Sequence, residues 1–139
     1  MKAKLKWIKD VQFELESGSG HKIIMDGPES AGGTNAGIRP MEMMLMGVVG
    51  CSSFDVVEIL KKSRQQVESC EAFVEAERVD DVPAVFSTIH LKFVVSGRNL
   101  KPAVVERAVA LSAEKYCSAS IMMQKAGVEV THSFEIKEV

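Results

Sequence analysis

The residues in this chain best suited to chemistry are its three cysteines, Cys51, Cys70 and Cys117. A thiolate is both a nucleophile and a metal ligand, and neighbouring charges and donors decide how readily it forms. Cys51 lies in the stretch GVVGCSSFDVV, residues 47–57. On a helix its neighbours three and four positions away are Gly47, Val48, Phe54 and Asp55. Glu58 and Lys62 continue the same polar stripe. Gly47 and Gly50 remove side-chain bulk and leave room for another backbone or a ligand. Asp55 alone raises the Cys51 thiol by charge repulsion, so a reactive Cys51 requires a compensating cation or donor. Cys117 follows EKY and precedes SASIMMQKAG. A helix beginning there favours a thiolate through its N-terminal amides and dipole, with Lys115 close in sequence. Cys70 shares a strand face with Ala72, Val74 and Ala76 and reads as packing. Free cysteine is usually a small buried hydrophobe. Separation along the chain leaves the distance between Cys51 and Cys117 open, so packing and a redox pair both stand.

Other chemistries lack their residues. His21, His90 and His132 are scattered, and no Cys or His pair has ligand spacing, so no metal is expected. His132 falls on the apolar face of its strand and reads as a core histidine, whereas His90 shares a face with Lys92. Gly32 and Gly37 have the spacing of P-loop glycines. Ile38 and Arg39 stand where that motif needs Lys and Ser/Thr, so the segment reads as a flexible connector. No G-x-S-x-G nucleophile motif is present.

The elements that must position these residues follow from periodicity. Ala3 to Ile8, Val11 to Glu16 and HKIIMD read as an antiparallel meander, with Gly18-Ser19-Gly20 as a turn. Pro40 suits the first turn of a helix because its missing N–H has no partner to lose there. That helix is expected to run to about Ser63, roughly 35 Å, with most of its circumference apolar and buried. Val67–Arg78 and VFSTIHLKFVV are strands, the latter with Val85, Ser87, Ile89, Leu91, Phe93 and Val95 on one face. Pro102 opens a second helix in which Val105, Ala108, Val109 and Ser112 share a stripe. A shorter helix follows Cys117 and stops at Gly127. Residues 128–136 alternate as a last strand. The order predicts an α+β domain spanning residues 1–139. One chain supplies little to cover so apolar a helix, so a homodimer in which two such helices meet is expected.

With a net charge of −2 and a pI near 5.9, the chain has no basic footprint for nucleic acid. The N-terminus lacks a signal-peptide pattern, and the greasiest run, residues 43–54, is too short to span a bilayer. Cytoplasmic placement away from membranes is expected. Three cysteines do not read as a disulfide framework.

Two stretches, RPMEMMLMGVVGCSSFDVVEIL and LSAEKYCSASIMMQKAGVEVTHSFEI, resemble the OsmC/Ohr family of osmotically inducible and organic hydroperoxide resistance proteins, nearest its YhfA-like branch. The resemblance implies an OsmC-like fold, antiparallel sheets around a long central helix, in an intertwined homodimer with active sites at the subunit interface. It implies a thiol peroxidase acting on organic hydroperoxides, with Cys51 as the peroxidatic and Cys117 as the resolving cysteine. A lipoyl-type dithiol would restore the thiols, and no metal, haem or flavin would be needed. The family's peroxidases also use a glutamate directly after the proline of the long helix, and an arginine from the N-terminal strands. Here Met41 follows Pro40, the acid is Glu42, and no arginine precedes Arg39. Glu42 stands nine positions before Cys51, about 13 Å along a regular helix and nearly on its opposite face. Glu42 is carried as a site residue through a bend or across the dimer, and Arg39 or Lys22 as the cation. The alternative is a non-catalytic dimer of the same fold that binds a small apolar ligand or senses oxidants.

Overall fold

The computed structural model describes residues 1–139. The elements run β1 (Ala3–Lys9), β2 (Gln12–Ser17), β3 (Lys22–Met25), a 3-10 turn (Glu29–Ala31), α1 (Pro40–Lys62), β4 (Gln66–Arg78) and β5 (Phe86–Arg98). They continue with α2 (Pro102–Leu111), a π turn (Ser112–Tyr116), α3 (Ser118–Lys125) and β6 (Glu129–Glu138). The α+β class expected from the sequence is the observed one, and both expected prolines open their helices. The chain divides into two compact units, Met1–Met44 and Leu45–Val139.

In the first unit, β1, β2 and β3 form the expected antiparallel meander. Its alternating pattern sets Leu5 opposite Leu15, and Leu15 opposite Ile23. After β3 the chain is pinned rather than flexible. The buried Asp26 carboxylate accepts hydrogen bonds from Gly27 N–H (2.7 Å), Thr34 N–H (3.2 Å), the Thr34 hydroxyl (2.8 Å) and Ala36 N–H (3.1 Å). Burial works to raise its pKa, but these donors outweigh it and hold the group at about 2. Gly33 is required there because a Cβ would collide with the Gly27 carbonyl.

In the second unit β4 pairs antiparallel with β5, but β6 lies parallel to β5. The expectation of wholly antiparallel sheets therefore holds only for the first sheet. Two helices separate β5 from β6, and a crossover of that length returns the chain to the end where β5 began. The core is built from Ile89, Leu91, Phe93 and Val95 of β5, Val105, Ala108 and Val109 of α2, and Val48, Val56 and Leu60 of α1. Those α1 residues follow the four-residue spacing of one helical stripe, completed by Ser52. The rest of α1 in this unit is less covered than its composition predicts: Met46 is 51% and Phe54 71% exposed in the single chain. By length and apolar composition alone α1 could cross a membrane. Its buried stripe carries a hydrogen-bonded serine, which ties it into the folded unit.

His132 is exposed, contrary to the core placement expected, because β6 is an edge strand. His90 is exposed as expected, its ring bonded to the Thr131 and Ser133 hydroxyls at 2.7 and 3.0 Å. Cys70 is half-buried with Ala72, Val74 and Ala76, and burial pushes its thiol up.

Candidate active site

Cys51 sits in the middle of α1, one residue before Ser52 on the buried stripe. Cys117 is placed by an irregular turn. At the end of α2 the helix widens, and Cys117 N–H reaches the Ser112 carbonyl, five residues back, at 2.8 Å. The backbone then extends at Cys117 (φ −71, ψ 100), which becomes the N-cap of α3. Its sulfur takes the place of an oxygen cap, accepting from Ser120 N–H at 3.3 Å.

These two placements bring together thiols far apart in sequence. The Cys51 sulfur, the Cys117 sulfur and an Asp55 carboxylate oxygen all lie within 4.8 Å of one another. Cys117 is fully buried and Cys51 half-buried, so Cys51 is the more accessible of the two.

Three serines frame the pair. The Ser52 hydroxyl lies 3.1 Å from the Cys117 sulfur and 3.1 Å from the Ser120 hydroxyl. The Ser112 hydroxyl donates to the Ser52 carbonyl at 3.2 Å. Sequence reasoning did not assign these serines a role. Their signal was present: Ser52 and Ser112 occupy stripes otherwise filled by buried apolar residues, where a hydroxyl needs a partner.

The surroundings treat the two sulfurs oppositely. Burial works to raise the Cys117 thiol, but the Ser120 and Ser52 hydroxyls, Ser120 N–H and the Cys51 thiol together hold it below its ordinary value. Burial pushes the Cys51 thiol up, the Cys117 sulfur and the Asp55 charge add to this, and only Ala119 N–H opposes them. Both sulfurs thus face amides at the start of α3. Burial also raises the Asp55 carboxyl, with the Ser112 hydroxyl pulling the other way. Its Oδ2 is buried and has no hydrogen-bond partner.

Each of the expected cations has a partner of its own. Lys115 lies over the Tyr116 ring, 5.4 Å from its centroid. Lys22 pairs with Glu14 at 2.9 Å. Arg39 pairs with Glu42 at 3.9 Å, and the other Glu42 oxygen accepts from Arg39 N–H at 2.9 Å. Glu42 therefore closes the first turn of α1. Gly47 and Gly50 do face open space, as their side-chain absence predicts.

A cavity of about 430 Å³ adjoins the site, with Phe54, Asp55, Ile59, Leu111 and Tyr116 in its walls and Glu58 and Lys62 at its polar side. Asp55 is common to the cavity and the thiol cluster.

A family model for OsmC-like protein matches residues 33–133. Protein YhfA of Escherichia coli (strain K12) is 50% identical over 139 residues, covering 98% of each chain. Among solved structures, a hypothetical protein from Aquifex aeolicus VF5 is 30% identical, with a TM-score of 0.86 over 99% of this chain and 96% of that one. An organic hydroperoxide resistance protein OsmC from Legionella pneumophila is 18% identical, with a TM-score of 0.69 over 96% of this chain and 95% of that one. That last likeness is one of fold.

Proposed function

The chain belongs to the OsmC-like family, and from that premise we propose that it is a thiol-dependent peroxidase reducing organic hydroperoxides through Cys51 and Cys117. The observation that carries this reading is the convergence of the two sulfurs within 4.8 Å, one reachable and one buried. A fold shared with an organic hydroperoxide resistance protein supports it.

In this reading Cys51 passes its proton to the Cys117 sulfur and attacks the outer oxygen of the hydroperoxide. The O–O bond breaks, Cys51 becomes a sulfenic acid, and the departing alkoxide takes a proton from solvent water to leave as the alcohol. The Cys117 thiol then condenses with the sulfenic acid, releasing water and forming the disulfide. A lipoyl-type dithiol returns both cysteines to thiols by exchange. Ala119 N–H is the donor that offsets burial at Cys51, the serines and Ser120 N–H hold the Cys117 sulfur that takes its proton, and the chemistry requires no cofactor. Phe54, Ile59, Leu111 and Tyr116 offer an alkyl group an apolar wall. The protein acts in the cytoplasm as a homodimer of single-domain chains, residues 1–139, with no nucleic-acid or membrane partner. The exposed Met46 and Phe54 favour a second copy, across which Glu42 serves the site.

The test is consumption of cumene hydroperoxide by the reduced protein with dihydrolipoamide. Cys51→Ser abolishes turnover, and Cys117→Ser stalls at a dimedone-reactive sulfenic acid. Failure to consume alkyl hydroperoxide with any dithiol, while Cys51 stays unoxidised, overturns the reading.

A second reading is a non-catalytic dimer that binds a small apolar ligand or senses oxidants. The upward push on the Cys51 thiol favours it. It requires that ligand affinity survive Cys51→Ser and Cys117→Ser.

A further inference from the structure

The geometry points to a binding site for a thiophilic divalent cation, of the zinc class, formed by Cys51, Asp55 and Cys117 when both cysteines are reduced. Ligand spacing in the sequence gave no hint of it, because the three residues come from two distant segments. Within α1, however, Cys51 and Asp55 are four residues apart and project from one helix face. That is the spacing by which two histidines on a helix grip zinc in the H-E-x-x-H motif. Cys117 at the head of α3 supplies a third ligand from across the site.

Several observations agree on a cation. Three groups that can each be anionic converge within 4.8 Å. In tetrahedral zinc sites, bond lengths of about 2.3 Å to sulfur and about 2.1 Å to oxygen set the ligand atoms roughly 3.5–3.8 Å apart. No two of the ligand atoms are more than 4.8 Å apart, so the cluster exceeds that spacing by at most about 1.3 Å. Asp55 Oδ2 is buried without a hydrogen-bond partner, an unmet requirement that a metal bond satisfies. Thiolate sulfur selects a zinc-like ion over magnesium or calcium. An outer shell is also built: Ser52 Oγ and Ser120 N–H reach the Cys117 sulfur. Donors of this kind orient thiolate ligands and offset their charge. Three protein ligands beside a cavity leave a fourth position for water or an incoming molecule.

The site is linked to redox state. A disulfide has no thiolate to offer, so oxidation removes two of the three ligands and releases the ion. Conversely the bound ion holds both sulfurs and shields them from oxidants. Binding of the ion does not depend on peroxidase activity, so either reading can fail alone.

The test is a titration of the full-length reduced protein with Co2+, followed by displacement with Zn2+. One Co2+ per chain is expected, with a thiolate-to-cobalt charge-transfer band that Zn2+ removes. The near-isosteric Asp55→Asn weakens binding at least about tenfold. Cys51→Ala loses the site, and Cys70→Ser keeps it. The wild-type disulfide form, prepared with diamide, binds no Co2+, an arm that needs no substitution. Absence of a thiolate band, unchanged affinity in Asp55→Asn, or equal binding by the disulfide form overturns the proposal.

Discussion

The two units of this chain solve the problem of holding a fold by different means. Every buried apolar side chain lies between Val48 and Val128, in the second unit. The first unit buries one residue fully, and it is a carboxylate, Asp26. One unit rests on an apolar core, the other on strand pairing and a charged knot. The second unit has an aspartate of its own, Asp55, with a contrasting environment. Asp26 is saturated by four donors and held at about 2. Asp55 keeps an oxygen without a partner and is pushed upward by burial. A saturated buried carboxylate fixes structure, and an unsaturated one is available for chemistry.

The contrast is sharpest in the core. Leu60 is fully buried, and Leu60→Ala is expected to cost about 2–5 kcal/mol in urea denaturation. A loss within the range of surface substitutions would mean that α1 is not anchored as described. Next in size is Asp26→Asn, which replaces an acceptor of four bonds with an amide whose N–H groups oppose its donors. Its urea midpoint should fall, though less than that of Leu60→Ala, and limited proteolysis should open residues 27–36. Resistance equal to wild type would remove Asp26 as the knot.

Acid separates the two aspartates by sign. The folded pKa of Asp26 lies below the unfolded value of about 3.9. Its stabilisation is therefore complete above about pH 4 and is lost as pH falls through about 2. Wild type should weaken across that window more steeply than Asp26→Asn, and parallel curves would break the assignment. Asp55 has the opposite sign, since its folded pKa is raised. What it contributes is complete below the unfolded value and lost as pH rises through the folded one. The smallest effect is then a slight rise in urea midpoint for Asp55→Asn near neutral pH. A fall there would show that the Asp55 charge is compensated in the fold.

Most of the fold was legible because periodicity and punctuation agree. Pro40 and Pro102 open helices, Gly127 closes one, and Ile89, Leu91, Phe93 and Val95 alternate into the core as their spacing predicts. The direction of β6 was not legible, because a strand's alternation is the same whichever way it runs. His132 misled for a related reason: alternation assigns a face, but an edge position decides whether that face is covered. The cysteines could be singled out by type, and their pairing by family resemblance. The serine frame and the Asp55 role were hidden, since both depend on which helix faces meet. The expectation that Asp55 opposes a Cys51 thiolate agrees with its place beside that sulfur, where its charge adds to the upward push of burial.

The π turn before Cys117 has a consequence of phase. Five residues fill a turn that an α-helix completes in fewer, so everything downstream is rotated relative to α2. Excising one residue from Ser112–Tyr116 would restore ordinary winding and swing position 117 by roughly 100°. The sulfur would then leave the mouth of α3 while every side chain of the site remained in the sequence. This protein's thiol pair is thus encoded as much by a count of residues as by their identity, and an insertion or deletion there would be silent to any search for cysteines.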